Sequence, residues 1–286
     1  MASGRKPREG DGAFYFTVSD DAELDRKWPK FLATKPDFVK TYLLFSEDYV
    51  LRKSDPRYFG WKGMDPGLLK SLVQKAHAAG LRVSTHVESA VDFHNILAAG
   101  VDEINHLPGF RTSGDVKPHL LREFEISEAD VEIAAHHGVY MVTTLGDAAQ
   151  IDPSGPDRQQ RKERDDLNRR NLTLLKKHRV RLALGSDNYR SDTVPEALYI
   201  QSLNVFDNRS LLTIWCGGTA RTIFPHRKIR ELKEGYEASF VVLQGNPIED
   251  FPAVQHISMA LKQGHVLKLD SPRIENSSWP NCQHSP

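Results

Sequence analysis

With 286 residues, of which 39% are hydrophobic and 27% charged, the chain is long enough for one large domain, or for a main domain with an appendage, each burying its own core. Its 38 Lys and Arg are balanced by 38 Asp and Glu, which removes the electrostatic reason to expect a nucleic acid or an anionic membrane as partner. Cys216 and Cys282 match no CxxC or zinc-finger spacing, no run approaches the roughly 18 apolar residues of a membrane span, and no apolar region follows the basic opening; the expectations are therefore no disulfide framework, no membrane segment and a cytoplasmic location.

From about residue 35 to 191 short apolar runs alternate with longer amphipathic ones, the pattern of strand and helix units in a parallel sheet. The strand candidates are Asp37 to Phe45, Leu81 to His86, Val101 to His106, Val139 to Thr144 and Val180 to Asp187. Between them, a helix from Asp65 to Ala79 has an Asp-Pro start and stops at Gly80; another from Ser89 to Ala99 stops at Gly100; a third from Ser127 to His137 opens Ser-x-x-Asp, a variant of the capping box, and stops at Gly138. Asp157 to Arg179 reads as a long surface helix, because acidic residues are interleaved with its Arg and Lys and leucines supply one apolar stripe. Gly109 to Pro118 and Ile151 to Pro156 read as loops after strands, where substrate contacts gather.

Beyond Asp192 a helical region from Pro195 to about Ile223 gives way to short turn-bounded strands at Ser239 to Leu243, Ile257 to Leu261 and His265 to Leu269. The last residues, 271 to 286, are polar and rich in Pro, Ser and Asn, which predicts a disordered tail.

Three of the strand candidates finish on a side chain able to hold a metal: His86, His106 and Asp187. All strand C-termini of a parallel sheet open on one side, so these three converge there, and imidazole with carboxylate is a donor set for zinc with an open position. Lys40 lies inside an otherwise apolar strand, where an unpaired ammonium is costly to bury. An edge position or a snorkelling stem accounts for it; so does a deprotonated amine that has taken up carbon dioxide to form a carbamate, an anionic oxygen ligand. His77, His94, His136 and His137 fall on helices and His119 opens a helix or loop, so these read as solvated or structural. Arg111, Tyr140 and Arg190 lie near strand ends and could meet a substrate carboxylate.

Lys40 in its strand, Thr85-His86, Asn105-His106-Leu107-Pro108-Gly109 and Gly185-Ser186-Asp187 together resemble strands four, five, six and eight of the amidohydrolase superfamily, in particular its imidazolonepropionase-like and prolidase-like members. Gly217-Gly218-Thr219-Ala220 and the run from Leu232 to Asp250 are similar to that family's ending, and the resemblance spans about residues 13 to 269. It implies an α/β architecture, here an incomplete (β/α)8 barrel of strands four to eight over residues 13–223, with a partial β-sandwich over 224–270 between disordered ends at 1–12 and 271–286. It also implies hydrolysis of an amide or dipeptide-like carbon–nitrogen bond, with one or two divalent metals, zinc foremost. Lys40, His86 and His106 would hold one metal; Lys40, Asp187 and a His-x-His pair the other; and Asp187 would move the proton of the attacking water to the leaving nitrogen. No His-x-His occurs in the sequence, Ser239 stands where relatives carry an acidic residue, and the polar start at residues 1–12 resembles nothing in the family. The expectation is a chain that begins within the barrel and needs self-association or a partner to complete it, or a truncated, catalytically inactive fragment or binding module. Since fold does not fix reaction, a lyase or isomerase is a further reading.

Overall fold

The computed structural model describes residues 15–55, 63–109, 121–188 and 192–269. The chain divides into two compact units, Met1–His226 and Arg227–Pro286. In the first, the order is α1 (Asp21–Leu32), β1 (Val39–Tyr42), α2 (Tyr49–Lys53), α3 (Pro66–Ala78), β2 (Val83–His86), α4 (Ala90–Ala99), β3 (Glu103–Asn105), α5 (Glu128–His137), β4 (Tyr140–Thr143), α6 (Arg158–Lys177), β5 (Arg181–Leu184), α7 (Val194–Ser202), α8 (Asn208–Leu212) and α9 (Thr219–Ile223).

The helix punctuation predicted from glycine holds. Gly100 and Gly138 sit at the C-caps of α4 and α5 with φ of 83° and 65°, the left-handed conformation that releases the chain into the next strand. The full reciprocal capping box lies at Ser89 and Asp92, at the start of α4. At Ser127 the hydroxyl instead takes the Asp130 N–H at 3.1 Å and donates to the Asp130 carboxylate at 2.7 Å. Helix α1, to which the sequence reading assigns no element, is capped by the Asp20 side chain on Glu23 N–H and buries Leu24 and Trp28, one turn apart on one face. The helical region expected over 195–223 is present as several segments. Asn204 turns into φ 56°, Asp207 caps α8 through Ser210 N–H, and Thr213–Gly218 forms a π-helical turn leading into α9.

The five strands form one parallel sheet in the order β1-β2-β3-β4-β5. This α/β arrangement is compatible with part of a (β/α) barrel. Side chains alternate between the faces, and parallel register keeps aligned residues on one face. Thr41, Thr85, Ile104, Met141 and Leu182 form one aligned row, with Val39, Val83, Thr143 and Leu184 beside it, and all nine are buried. The other face carries Lys40, Ser84, Glu103, Tyr140 and Arg181 in one row and Tyr42, His86, Asn105, Val142 and Ala183 in the next. Both outer strands find partners beyond the sheet: Tyr42 O accepts from Met64 N at 2.7 Å, and Leu184 N donates to Thr219 Oγ1 at 3.0 Å. The π-helical turn lies so close to β5 that a Cβ on Gly218 would fall 2.1 Å from Leu182 O.

The second unit holds an antiparallel sheet, β6 (Phe240–Leu243), β7 (Ile257–Lys262) and β8 (His265–Leu267), in the order β6-β7-β8. Val241, Met259, Val266 and Leu267 are exposed there, while Phe251, Ala253 and Val254 of a 3-10 turn are buried. Among the described residues no helix is long and apolar enough to cross a membrane.

Candidate functional site

His86 closes β2 and His106 follows β3 by one residue, with φ 73°. Both are buried, and their ring centroids lie 4.3 Å apart at an interplanar angle of 67°. Each ring is held by a bond at one nitrogen. His86 Nε2 meets Glu88 Oε1 at 3.0 Å, and His106 Nδ1 meets Thr144 Oγ1 at 2.5 Å. A carboxylate or hydroxyl on one nitrogen, orienting the ring for ligation through the other, is the outer arrangement that metal-binding histidines use. The histidine pair therefore fits a divalent cation on the chemistry of its donors and of the groups that hold them.

Lys40 projects on the same face. Its Nζ donates to Asn105 Oδ1 and lies 5.5 Å from the centre of the Tyr42 ring. Burial pushes its ammonium down to about 8 from an ordinary value of 10.5, against the opposing pull of Glu103 and Asp187. Asn105 Oδ1 also accepts from Ser84 Oγ at 2.7 Å, and Glu103 Oε1 accepts from Ser84 Oγ at 2.9 Å and Asn105 Nδ2 at 3.2 Å. The second Glu103 oxygen takes Thr222 Oγ1 from α9 and pairs with Arg82 Nη1 at 3.4 Å. Glu103 only accepts, so it fixes the Asn105 amide with its oxygen toward Lys40.

Asp187 departs from its expected place. Strand β5 ends at Leu184, and Asp187 follows three residues later with φ 47°, exposed to solvent. Among the described residues, His86, His106 and Asp187 do not bring their ligand atoms within 4.8 Å of one another; Glu128, Glu132 and His178 do. That trio, two exposed glutamates and a half-buried histidine, belongs to α5 and the C-cap of α6, and Lys177 shares Glu128, so it is an ion-pair network between helices and not part of the strand-end site. Tyr140 is the first residue of β4, at the strand end remote from His86. Arg111, His119 and Arg190 lie outside the described residues.

Four residues that the sequence reading did not single out build the site's surroundings. Glu88 orients His86; Asn105 and Glu103 hold Lys40. Asp92 accepts Phe45 N at 2.9 Å, Ser46 N at 2.8 Å, Glu88 N at 3.0 Å and Ser89 N at 3.2 Å, tying the loops after β1 and β2 together beneath the histidines. A signal for two of them exists in Glu103-x-Asn105: polar residues two apart in a buried strand, hence on one face.

No family model matches the chain, and no curated protein does. Solved structures do. An amidohydrolase matches with TM-score 0.63 at 19% identity, over 90% of this chain and 60% of its own. The ochratoxinase of A. niger matches with TM-score 0.65 at 17% identity, over 92% and 59%. A prolidase complexed with N-methylphosphonate-L-proline matches with TM-score 0.65 at 18% identity, over 93% and 67%. The chain thus shares the fold of these structures, and it spans between 59% and 67% of their length.

Proposed function

We propose that this chain is a metal-dependent hydrolase of the amidohydrolase type, cleaving a carbon–nitrogen bond in a small amide or dipeptide-like substrate. The observation that carries the reading is the buried His86–His106 pair, each ring oriented by a partner on one nitrogen. The likeness to prolidases and other amidohydrolases supports the substrate class. In this reading the five parallel strands are strands four to eight of a barrel within residues 13–223. The antiparallel sheet within 224–270 is part of a β-sandwich, and a second copy or a partner chain closes the barrel in a cytoplasmic assembly.

Zinc held by His86 and His106, with Lys40 and Asp187 completing the set, would supply Lewis acidity to the scissile carbonyl and acidify a water. The chain's own groups do the rest. The Glu88 carboxylate, which only accepts, keeps the proton of neutral His86 on Nε2, and Thr144 positions the His106 ring. Asp187, exposed at the rim, takes the proton of the attacking water and delivers it to the leaving nitrogen. Lys40, with its ammonium lowered to about 8, offers a neutral amine at mildly alkaline pH. That amine adds to carbon dioxide, forming a nitrogen–carbon bond and releasing one proton to solvent, and the product is the carbamate ligand.

A second reading is favoured by Lys40 itself. Bound to Asn105 Oδ1, it is oriented as a donor, the role of an ammonium in a chain that kept the fold and lost the chemistry. One preparation separates the two. Protein purified with zinc and bicarbonate is expected to retain at least one equivalent of zinc, to lose it on His86→Asn or His106→Asn, and to turn over Xaa-Pro or N-acyl dipeptides. Failure to retain zinc, together with no turnover, leaves only the non-catalytic reading.

A further inference from the structure

At the end of the sheet remote from His86, a cavity of about 480 Å³ opens beside β4 and β5, lined by Tyr140, Arg181, Leu182, Thr213, Ile214 and Arg221, with Gly218 at its wall. Tyr140 and Arg181 are register partners on neighbouring strands. The Arg181 guanidinium is held in place, with Nη1 donating to Gly138 O at 3.2 Å and Cζ 5.6 Å from the centre of the Tyr140 ring. Arg221 comes from α9 and lies over Gly217, its Nη1 3.5 Å from where a Cβ on that glycine would sit. Among the described residues neither guanidinium has a carboxylate within ion-pair distance, and no carboxylate lines the cavity. Other arginines of the chain, Arg82, Arg161, Arg169, Arg170 and Arg227 among them, are paired with Asp or Glu.

Two like charges in one concavity repel, and an anion placed between them relieves that repulsion while taking up forked N–H donors. Hydroxyls of Tyr140 and Thr213 add polar capacity to the lining, and Leu182 and Ile214 give it an apolar wall. The volume exceeds the needs of a bare inorganic anion. A π-helical turn supplies part of the lining, and such turns gather at functional sites.

We infer that this cavity is a binding site for a small organic oxyanion, an oxyanion head on the Arg181–Arg221 pair with a compact apolar body against Leu182 and Ile214. It is separate from the histidine pair and does not depend on the hydrolase reading.

Calorimetric titration of the full chain at low ionic strength with phenyl phosphate, benzoate and inorganic phosphate tests it. One saturable site is expected for phenyl phosphate or benzoate, tighter than for inorganic phosphate, and weakened by added salt. The tighter of the two organic probes identifies the head group as phosphate or carboxylate. Arg221→Met and Arg181→Met are each expected to weaken binding by about tenfold or more, whereas Arg26→Met, at an exposed arginine paired with Glu23, leaves it unchanged. Arg221 is exposed and makes no ion pair among the described residues, so its variants report on binding even if Arg181→Met unfolds. Absence of saturable binding by either organic probe, or binding that Arg221→Met does not alter, overturns the site.

Discussion

The two faces of the parallel sheet are built from the same strands and differ in almost everything else. One carries Thr41, Val83, Ile104, Met141, Leu182 and their neighbours, all buried and none of them ionisable. The other carries Lys40, Ser84, His86, Glu103 and Asn105, bonded to one another or to Glu88. The first contributes through area removed from water; the second spends desolvation on groups whose bonds roughly repay it. Stability and chemistry are thereby assigned to alternate residues of each strand, so substitutions one position apart should have unrelated consequences.

The largest effect should come from Ile104→Ala on the apolar face, a loss of about 2–5 kcal/mol in denaturant unfolding. A loss as large from the variant at the next residue, Asn105→Ala, would erase the distinction between the faces. Next is Asp92→Asn, which turns one acceptor toward backbone N–H groups into a donor. A cost of about 1.5–3 kcal/mol is expected, and because this residue joins the loops after β1 and β2, zinc retention should fall with it. For His86→Asn the expected stability change is smaller, under about 2 kcal/mol, while metal content measured on the purified protein goes to background. The last effect is a slope and not an offset. The folded-state pKa of Lys40, about 8, lies below its ordinary 10.5, so between these values the unfolded chain binds the extra proton and stability rises with pH. In Lys40→Met that rise should vanish over the same window; a slope that persists in the variant would place its origin elsewhere.

Much of this arrangement is legible in the sequence because glycine and polarity mark it. The glycines at 80, 100 and 138 fix the starts of β2, β3 and β4, and His86 stands at the end of its strand as its run predicts. Other features are legible only after folding. Asp187 reads as a strand end because Leu182-Ala183-Leu184-Gly185 continues the apolar pattern, but the ladder stops at Leu184. The region 195–223 reads as helical, and it is; the turn at Asn204, the cap at Asp207 and the π-helical turn over the paired glycines 217 and 218 divide it into segments. Helix α1 escaped the reading, which gave no element to the stretch before residue 35, although its Asp20 cap and its Leu24 and Trp28 pair are ordinary helix signals. Pro29 within it argues the other way. Glu103 and Asn105 fall inside the strand predicted over Val101 to His106, but their part in holding Lys40 shows only once the neighbouring strands are paired.

Gly218 and Gly217 are neighbours in the sequence, yet the fold exposes them to opposite fates. Every missense change of a glycine codon installs at least a Cβ. At 218 that atom would meet the Leu182 carbonyl at 2.1 Å, whereas at 217 its nearest neighbour is the flexible end of Arg221 at 3.5 Å. Under random mutagenesis with selection for folded protein, the first codon should tolerate only synonymous drift while the adjacent one accumulates alanine and serine.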